Sequence, residues 1–348
     1  MRQKPYTPWL FLAPSFLGFL AFTLLPILFS LALAFCTWDL FRPPRWVGLD
    51  NFYQLLGFTL REVPRIAPVL ALGLVVAGLG LAALALFRLR GAVRAVALVV
   101  LAALTILILL QILEPVNPRF WYYTGNTFYL LMGLPVSMAC SLGLAVLLNQ
   151  TIPGRNLFRL AFFLPSIVGG VGIYLLWKWI FNADYGLINN VISLVRPAGG
   201  PAWLESTAWA KNALIIMSIW ATAGGANMVL YLAALQNVDP TLHEAACIDG
   251  AGKWRQFLAI TWPMVSPTTA FILTMGIIGG FQGGFDAAYV MTRGGPAGAT
   301  TTLSYFIYEN GFRYFYMGRA AAASWILFLM VFSLTLVNWK WMANRVNY

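Results

Sequence analysis

The chain has 348 residues, of which 60% are hydrophobic and only 9% charged, and its mean hydropathy is +0.77. Soluble domains carry about a quarter charged residues, so these values exclude one and describe an integral membrane protein. The net charge of +11 does not indicate nucleic acid, because the bases sit in short loops beside apolar runs, with no basic tract or aromatic RNA-binding pattern.

Runs free of Asp, Glu, Lys and Arg cover residues 9–38, 66–87, 95–113, 120–154, 160–177, 212–238, 256–285 and 320–339. Each approaches or exceeds the roughly 20 residues that cross a bilayer as a helix. They are apolar on every face, unlike the alternating strands of a membrane barrel. The sequence therefore predicts an all-α, polytopic membrane bundle of about eight transmembrane helices.

The first run follows Arg2 and Lys4 but is too long for the apolar core of a signal peptide, roughly 7–15 residues. It reads as an uncleaved span within a unit of residues 1–65. The next two runs, within 66–113, are joined by Arg88-Leu89-Arg90-Gly91 and Arg94 and read as a tight helical hairpin. Their Ala, Leu and Val side chains offer a pathway almost no polar atoms, so the hairpin reads as a peripheral insertion, leaving 114–348 as the core. Between later spans, loops 182–205 and 293–319 are rich in Gly, Pro and aromatics and suit a soluble partner.

With the N-terminus placed in the cytoplasm, eight spans return the C-terminus to the same side, and loop 236–263 also falls there. Lys and Arg divide eleven to eleven between the two sides, so the positive-inside rule leaves orientation to the motif in that loop. Cys36, Cys140 and Cys247 are scattered, and the single His243 lacks metal-binding company, so packing or helix-surface roles are expected.

Loop 236–263 carries helix signals. Asp239 can cap backbone N–H groups, and Pro240 suits the first helical position. A helix over 240–249 would be about 15 Å long and would end at Gly250, which can adopt positive φ. A second short helix is expected over 253–261. Leu242, Ala245, Ala246 and Asp249 share one face of the first, and Glu244 lies towards its electropositive end. In the span before the loop, Ser218, Thr222 and Gly225 form one stripe. In the span after it, Gln282 and Asp286 are four apart, with Tyr289 one turn on. Gly279, Gly280, Gly283 and Gly284 form two interleaved pairs that favour close helix approach.

Glu244-Ala245-Ala246, three residues, Gly250, nine residues, Ile260, one residue, then Trp262-Pro263 resembles the signature of the membrane subunits of ATP-binding-cassette importers, with Trp262 where that pattern has Leu. Tyr231-Leu232-Ala233-Ala234-Leu235-Gln236, Gly250-Ala251-Gly252-Lys253-Trp254, Tyr289 to Pro296, Phe162-Phe163-Leu164-Pro165 and Asp184 to Asn189 are similar to the sugar permeases of the maltose and glycerol-phosphate type. The likeness covers about residues 1–60 and 115–348, a six-helix core, and leaves the hairpin unassigned.

The resemblance implies a pore-forming subunit, not an enzyme, in a bacterial or archaeal cytoplasmic membrane with both termini inside. Its partners would be a second homologous permease, a pair of ATPase subunits, an extracytoplasmic solute-binding protein, a sugar and lipid. It implies that Glu244, Ala245, Ala246, Asp249, Gly250, Ile260 and Pro263 couple to the ATPase, and that sugar is held mid-membrane by the two flanking helices. That role carries to Ser218, Thr222, Phe281, Gln282 and Gly284, with Asp286 nearer the outer mouth. No cofactor is expected on this chain, ATP and Mg belonging to the partner: around Gly252-Lys253 a phosphate-binding loop would need glycine in place of Cys247 and Ser or Thr in place of Trp254. An ion-coupled secondary transporter is the alternative. It would need an intramembrane charge relay, yet only Lys178 and Asp286, near span ends, are charged.

Overall fold

The computed structural model describes residues 7–60, 113–197 and 199–343. The expected hairpin at 66–113 lies outside them except for Leu113. Helix dominates, as expected. Two small antiparallel ladders are additions that the apolar runs did not signal: β1 (Cys36–Thr37) with β2 (Arg45–Trp46), and β3 (Phe58–Leu60) with β4 (Leu113–Pro115).

The helices are α1 (Thr7–Phe19), α2 (Leu25–Ala34), α3 (Asp50–Leu56), α4 (Pro118–Leu131), α5 (Gly133–Asn149), α6 (Arg155–Val168), α7 (Val171–Ile180) and α8 (Leu187–Ser193). Then follow α9 (Ala210–Ala223), α10 (Ala226–Gln236), α11 (Pro240–Ile248), α12 (Lys253–Gln256), α13 (Trp262–Ala287), α14 (Leu303–Tyr308) and α15 (Met317–Ala343). Four continuous helices are long and apolar enough to span a membrane, and six spans result if each of two bent pairs counts as one. These six match the expected runs outside the hairpin.

Two of the spans are bent pairs, which the apolar runs did not signal. The α6–α7 pair turns by 106° and the α9–α10 pair by 42°. The first break falls at Gly169-Gly170, with φ of +38° and +66°, backbone that side chains rarely tolerate. The second falls at Gly224-Gly225. A β-carbon at Gly224 would collide with the Phe162 backbone of α6, so the two broken spans touch where the second bends.

A π turn at Leu20–Leu24 joins α1 to α2, and another at Phe257–Thr261 joins α12 to α13. Pro26 and Pro263 follow directly, at the start of α2 and α13. A proline ring clashes with the carbonyl four residues back, and a wider turn gives it room. Both helices therefore run through their prolines.

The core has three clusters. Met138, Leu142, Tyr231 and Ile272 join α5, α10 and α13. Ala34, Leu55, Phe120, Leu303 and Ala322 join the first and last spans to α3, α4 and α14. Trp177, Leu214, Met217 and Met291 close the end of α7 against α9. Hydrocarbon offers no apolar driving force between helices, so polar clasps and close packing hold the rest. The Asn126 amide donates to Gly298 O (2.9 Å) and Thr301 O (3.1 Å), and Thr127 Oγ1 accepts from Leu303 N at 2.9 Å. These pin the loop after α13 onto α4. Asn338 donates to Thr274 Oγ1 at 2.9 Å, tying α15 to α13. Rings such as Phe11 (79% exposed) and Phe22 (85%) face outward, as a lipid-embedded surface requires.

Candidate functional site: an exposed elbow and a glycine-lined cavity

The elbow forms because its ends are capped locally. Asp239 Oδ1 accepts from Thr241 N at 2.9 Å, with Pro240 in the first helical turn. The backbone and hydroxyl of Thr241 stabilise the carboxylate and lower the Asp239 pKa. Gly250 stops the helix at φ +73°, with Gly250 N donating to Cys247 O and Ala251 N to Ala246 O. No residue of α11 is buried. Glu244, Ala245, Asp249 and Gly250 are exposed, as are Leu242 and Ile248, the latter by 87%. Ala246 turns partly inward beside His243.

The expected second short helix over 253–261 is corrected. Those residues form the first turns of one continuous helix, Lys253–Thr292, of 40 residues. At 1.5 Å per residue it is about 60 Å long, twice the hydrocarbon thickness of about 30 Å. Ile260 is half-buried and Pro263 exposed along it. Gln256 fixes the elbow to this rod. Its Nε2 donates to Ala251 O (2.7 Å) and Cys247 Sγ (3.3 Å), and its Oε1 lies 3.3 Å from His243 Nδ1. Sequence reasoning missed Gln256 and gave His243 no role beyond a helix surface. Only the three-dimensional return of the chain brings them together.

Between α4, α5, α7, α9, α10 and α13 lies a cavity of about 360 Å³. Ser218, Thr222 and Gly284 line it. Thr222 Oγ1 donates to Ser218 O and lies 2.6 Å from Ser137 Oγ, bridging α9 to α5. Ser218 Oγ donates to Ile215 O at 2.9 Å. Tyr174 and Asn227 also line the cavity, and sequence reasoning missed both. Among the described residues Asn227 has no hydrogen-bond partner, leaving its amide available. Its position two residues past the Gly-Gly break is the signal that could have found it.

Three expected pathway residues lie elsewhere. Phe281 is fully buried, edge to face with Phe128 at 5.4 Å, because its position on α13 points into the bundle. Gln282 and Asp286 are exposed and do not line the cavity, although Asp286 lies one helical turn beyond the cavity-lining Gly283. The glycines also divide. Gly276, Gly279, Gly280, Gly283 and Gly284 all line the cavity. A β-carbon on Gly276 would collide with the end of Leu134, and one on Gly284 would lie 2.9 Å from Thr302 Cγ2. On Gly280 it would meet only the tip of Leu131, while at Gly279 and Gly283 nothing lies within 4 Å. Those last two keep the cavity open and allow no closer helix approach.

A bundle of spans around a cavity walled by glycines and apolar side chains with a few hydroxyls and one amide, and a capped exposed elbow on the rod that forms one wall, fits the membrane subunit of a transporter. Residues 133–339 match the family described as "Binding-protein-dependent transport system inner membrane component". The chain belongs to this family, the permease subunits of ATP-binding-cassette importers, which are transporters and not enzymes. It is 30% identical over 352 residues to the "Probable ABC transporter permease protein YesP" of Bacillus subtilis, covering 100% of this chain and 94% of that one. It is 38% identical over 221 residues to the "Lactose transport system permease protein LacF" of Rhizobium radiobacter, covering 62% and 73%. To the "sn-glycerol-3-phosphate transport system permease protein UgpA" of Pectobacterium atrosepticum it is 34% identical over 237 residues, covering 67% and 78%. A chain of a bacterial ABC transporter that imports the acidic polysaccharide alginate shares the fold, with a TM-score of 0.72, 20% identity and coverage of 98% and 96%.

Proposed function

We propose that this importer permease carries a sugar or sugar-like solute, handed over by an extracytoplasmic binding protein, with a second permease subunit and a pair of ATPase subunits completing the machine. The elbow lies in the cytoplasm of a bacterium or archaeon, with both termini on its side. ATP and Mg belong to the ATPase, and this chain binds no cofactor. Relatives named for lactose and glycerol phosphate transport support a polyol-like solute. The cavity falls within the roughly 300–1,000 Å³ of small-molecule sites, and its hydroxyls and free amide suit a polyhydroxylated guest.

One observation carries this reading: the elbow is hydrogen-bonded to the start of the same rod whose glycines wall the cavity. Glu244, Ala245 and Asp249 offer an exposed, small-residue face for an ATPase cleft. Movement of that face is then movement of the cavity wall, a rigid-body switch. Ser218, Thr222, Asn227 and Tyr174 contact solute in this conformation, and Gln282 and Asp286 face the second permease across the pathway. The test is Glu244→Lys in the reconstituted complex. It should abolish solute-stimulated ATP hydrolysis and release the ATPase on purification. Full stimulation with the ATPase retained would refute the coupling role.

A further inference from the structure

At the end of the bundle remote from the elbow, three arginines converge on a second pocket of about 340 Å³. The long rod runs from the elbow to Thr292, and α15 starts back from the far side beside the first loop, where Met317 N donates to Trp38 O at 3.0 Å. Arg42 comes from the β1–β2 loop, Arg45 from the first position of β2 and Arg319 from the first turn of α15. Arg319 is held ready: its Nη2 donates to Gln54 Oε1 at 2.7 Å, its head lies 5.2 Å from the centre of the Tyr316 ring, and Gln54 Nε2 donates to Asp50 Oδ2. Asp39 is the one carboxylate in the lining, and its Oδ1 already accepts from Phe41 N and Arg42 N. Among the described residues no carboxylate lies within ion-pair distance of Arg42, Arg45 or Arg319.

We propose that this pocket is a docking site for acidic side chains of the extracytoplasmic solute-binding protein. The inference rests on the permease reading, which makes this end the outer one. Guanidinium groups match carboxylates in fork geometry, and three of them against one engaged Asp leave a local excess of +2. Such unpaired charge steers an oppositely charged partner and fixes its register. The carboxylate belongs to a protein rather than to the solute because the pocket shares no lining residue with the solute cavity. Solute bound here would stand off the pathway.

The test uses the full chain in nanodiscs of zwitterionic lipid, titrated with hexaglutamate peptide against hexaglutamine. Hexaglutamate should bind, weaken as salt is raised, and lose about tenfold or more in affinity in Arg42→Gln/Arg45→Gln. Both arginine side chains are exposed, Arg42 on the loop and Arg45 on the short strand β2, so the variant keeps its fold. Arg313→Gln, whose parent side chain pairs with Glu309 at 3.0 Å at the same end, should leave binding unchanged. Hexaglutamate that fails to bind, or an equal loss in Arg313→Gln, would remove the site. Arginine-dependent binding of free glucuronate without binding of the peptide would move the carboxylate to the solute and overturn the docking assignment. None of these readouts needs uptake or an ATPase, so their failure leaves the permease reading intact.

Discussion

Glycines on one helix face do two different jobs, and the empty space around each position separates them. Gly276 lets α13 approach Leu134 on α5, whereas Gly283 faces open cavity. Gly276→Val should cost about 1–3 kcal/mol through overpacking, read as a lower Tm in detergent. Gly283→Trp should keep the parent Tm yet abolish solute uptake, because the indole occupies the cavity. Normal uptake with Gly283→Trp would show that solute passes elsewhere. Repetition of small residues every four positions was legible in the sequence. Which glycines face a neighbour was not, since that depends on Leu134 and Thr302, far away in the chain.

At the scale of elements, α11 is the informative one: nine residues, none of them buried, held in shape by a cap and by Gln256. The Asp239 carboxylate has a depressed pKa in the folded elbow. Its contribution is therefore present above the unfolded carboxylate pKa and lost as pH falls through the lower folded value. Amide protection factors across 240–248, taken relative to the intrinsic exchange rate at each pH, should be high at neutral pH and fall on acidification into that window. Asp239→Asn, an equally good cap, should stay protected and lose the acid dependence attributable to this group. Unchanged acid sensitivity in Asp239→Asn would place its origin outside the cap.

The elbow's start and stop were readable because Asp239-Pro240 and Gly250 act locally. The continuity of 253–292 was not, because Pro263 suggested a boundary and the π turn that admits it has no sequence signature beyond the proline itself. The same limit applies to the 106° break at Gly169-Gly170, hidden inside a run that is apolar throughout. Phe281 illustrates a third kind of miss: a ring beside cavity-lining glycines faces the core because successive helical residues point about 100° apart.

For the molecule as a whole, the described residues hold six spans when each bent pair counts as one, and we propose that 61–112 is an insertion into that unit. Leu60 pairs with Leu113 and Phe58 with Pro115, so the chain leaves and rejoins the core at adjacent positions. Replacing 61–112 by a short Gly-Ser turn should therefore preserve expression and Tm, because short loops closing a hairpin add little entropy cost. A large loss of folded protein would show that the insertion is part of the core.

The central claim is that the elbow lies on the cytoplasmic face and is gripped there by an ATPase. Nature has placed a probe in it, since Cys247 is free and exposed. In a Cys36→Ser/Cys140→Ser background, a membrane-impermeant maleimide should label Cys247 in inside-out vesicles and not in intact cells, and the bound ATPase should block that labelling. Labelling of Cys247 from outside intact cells would contradict the account.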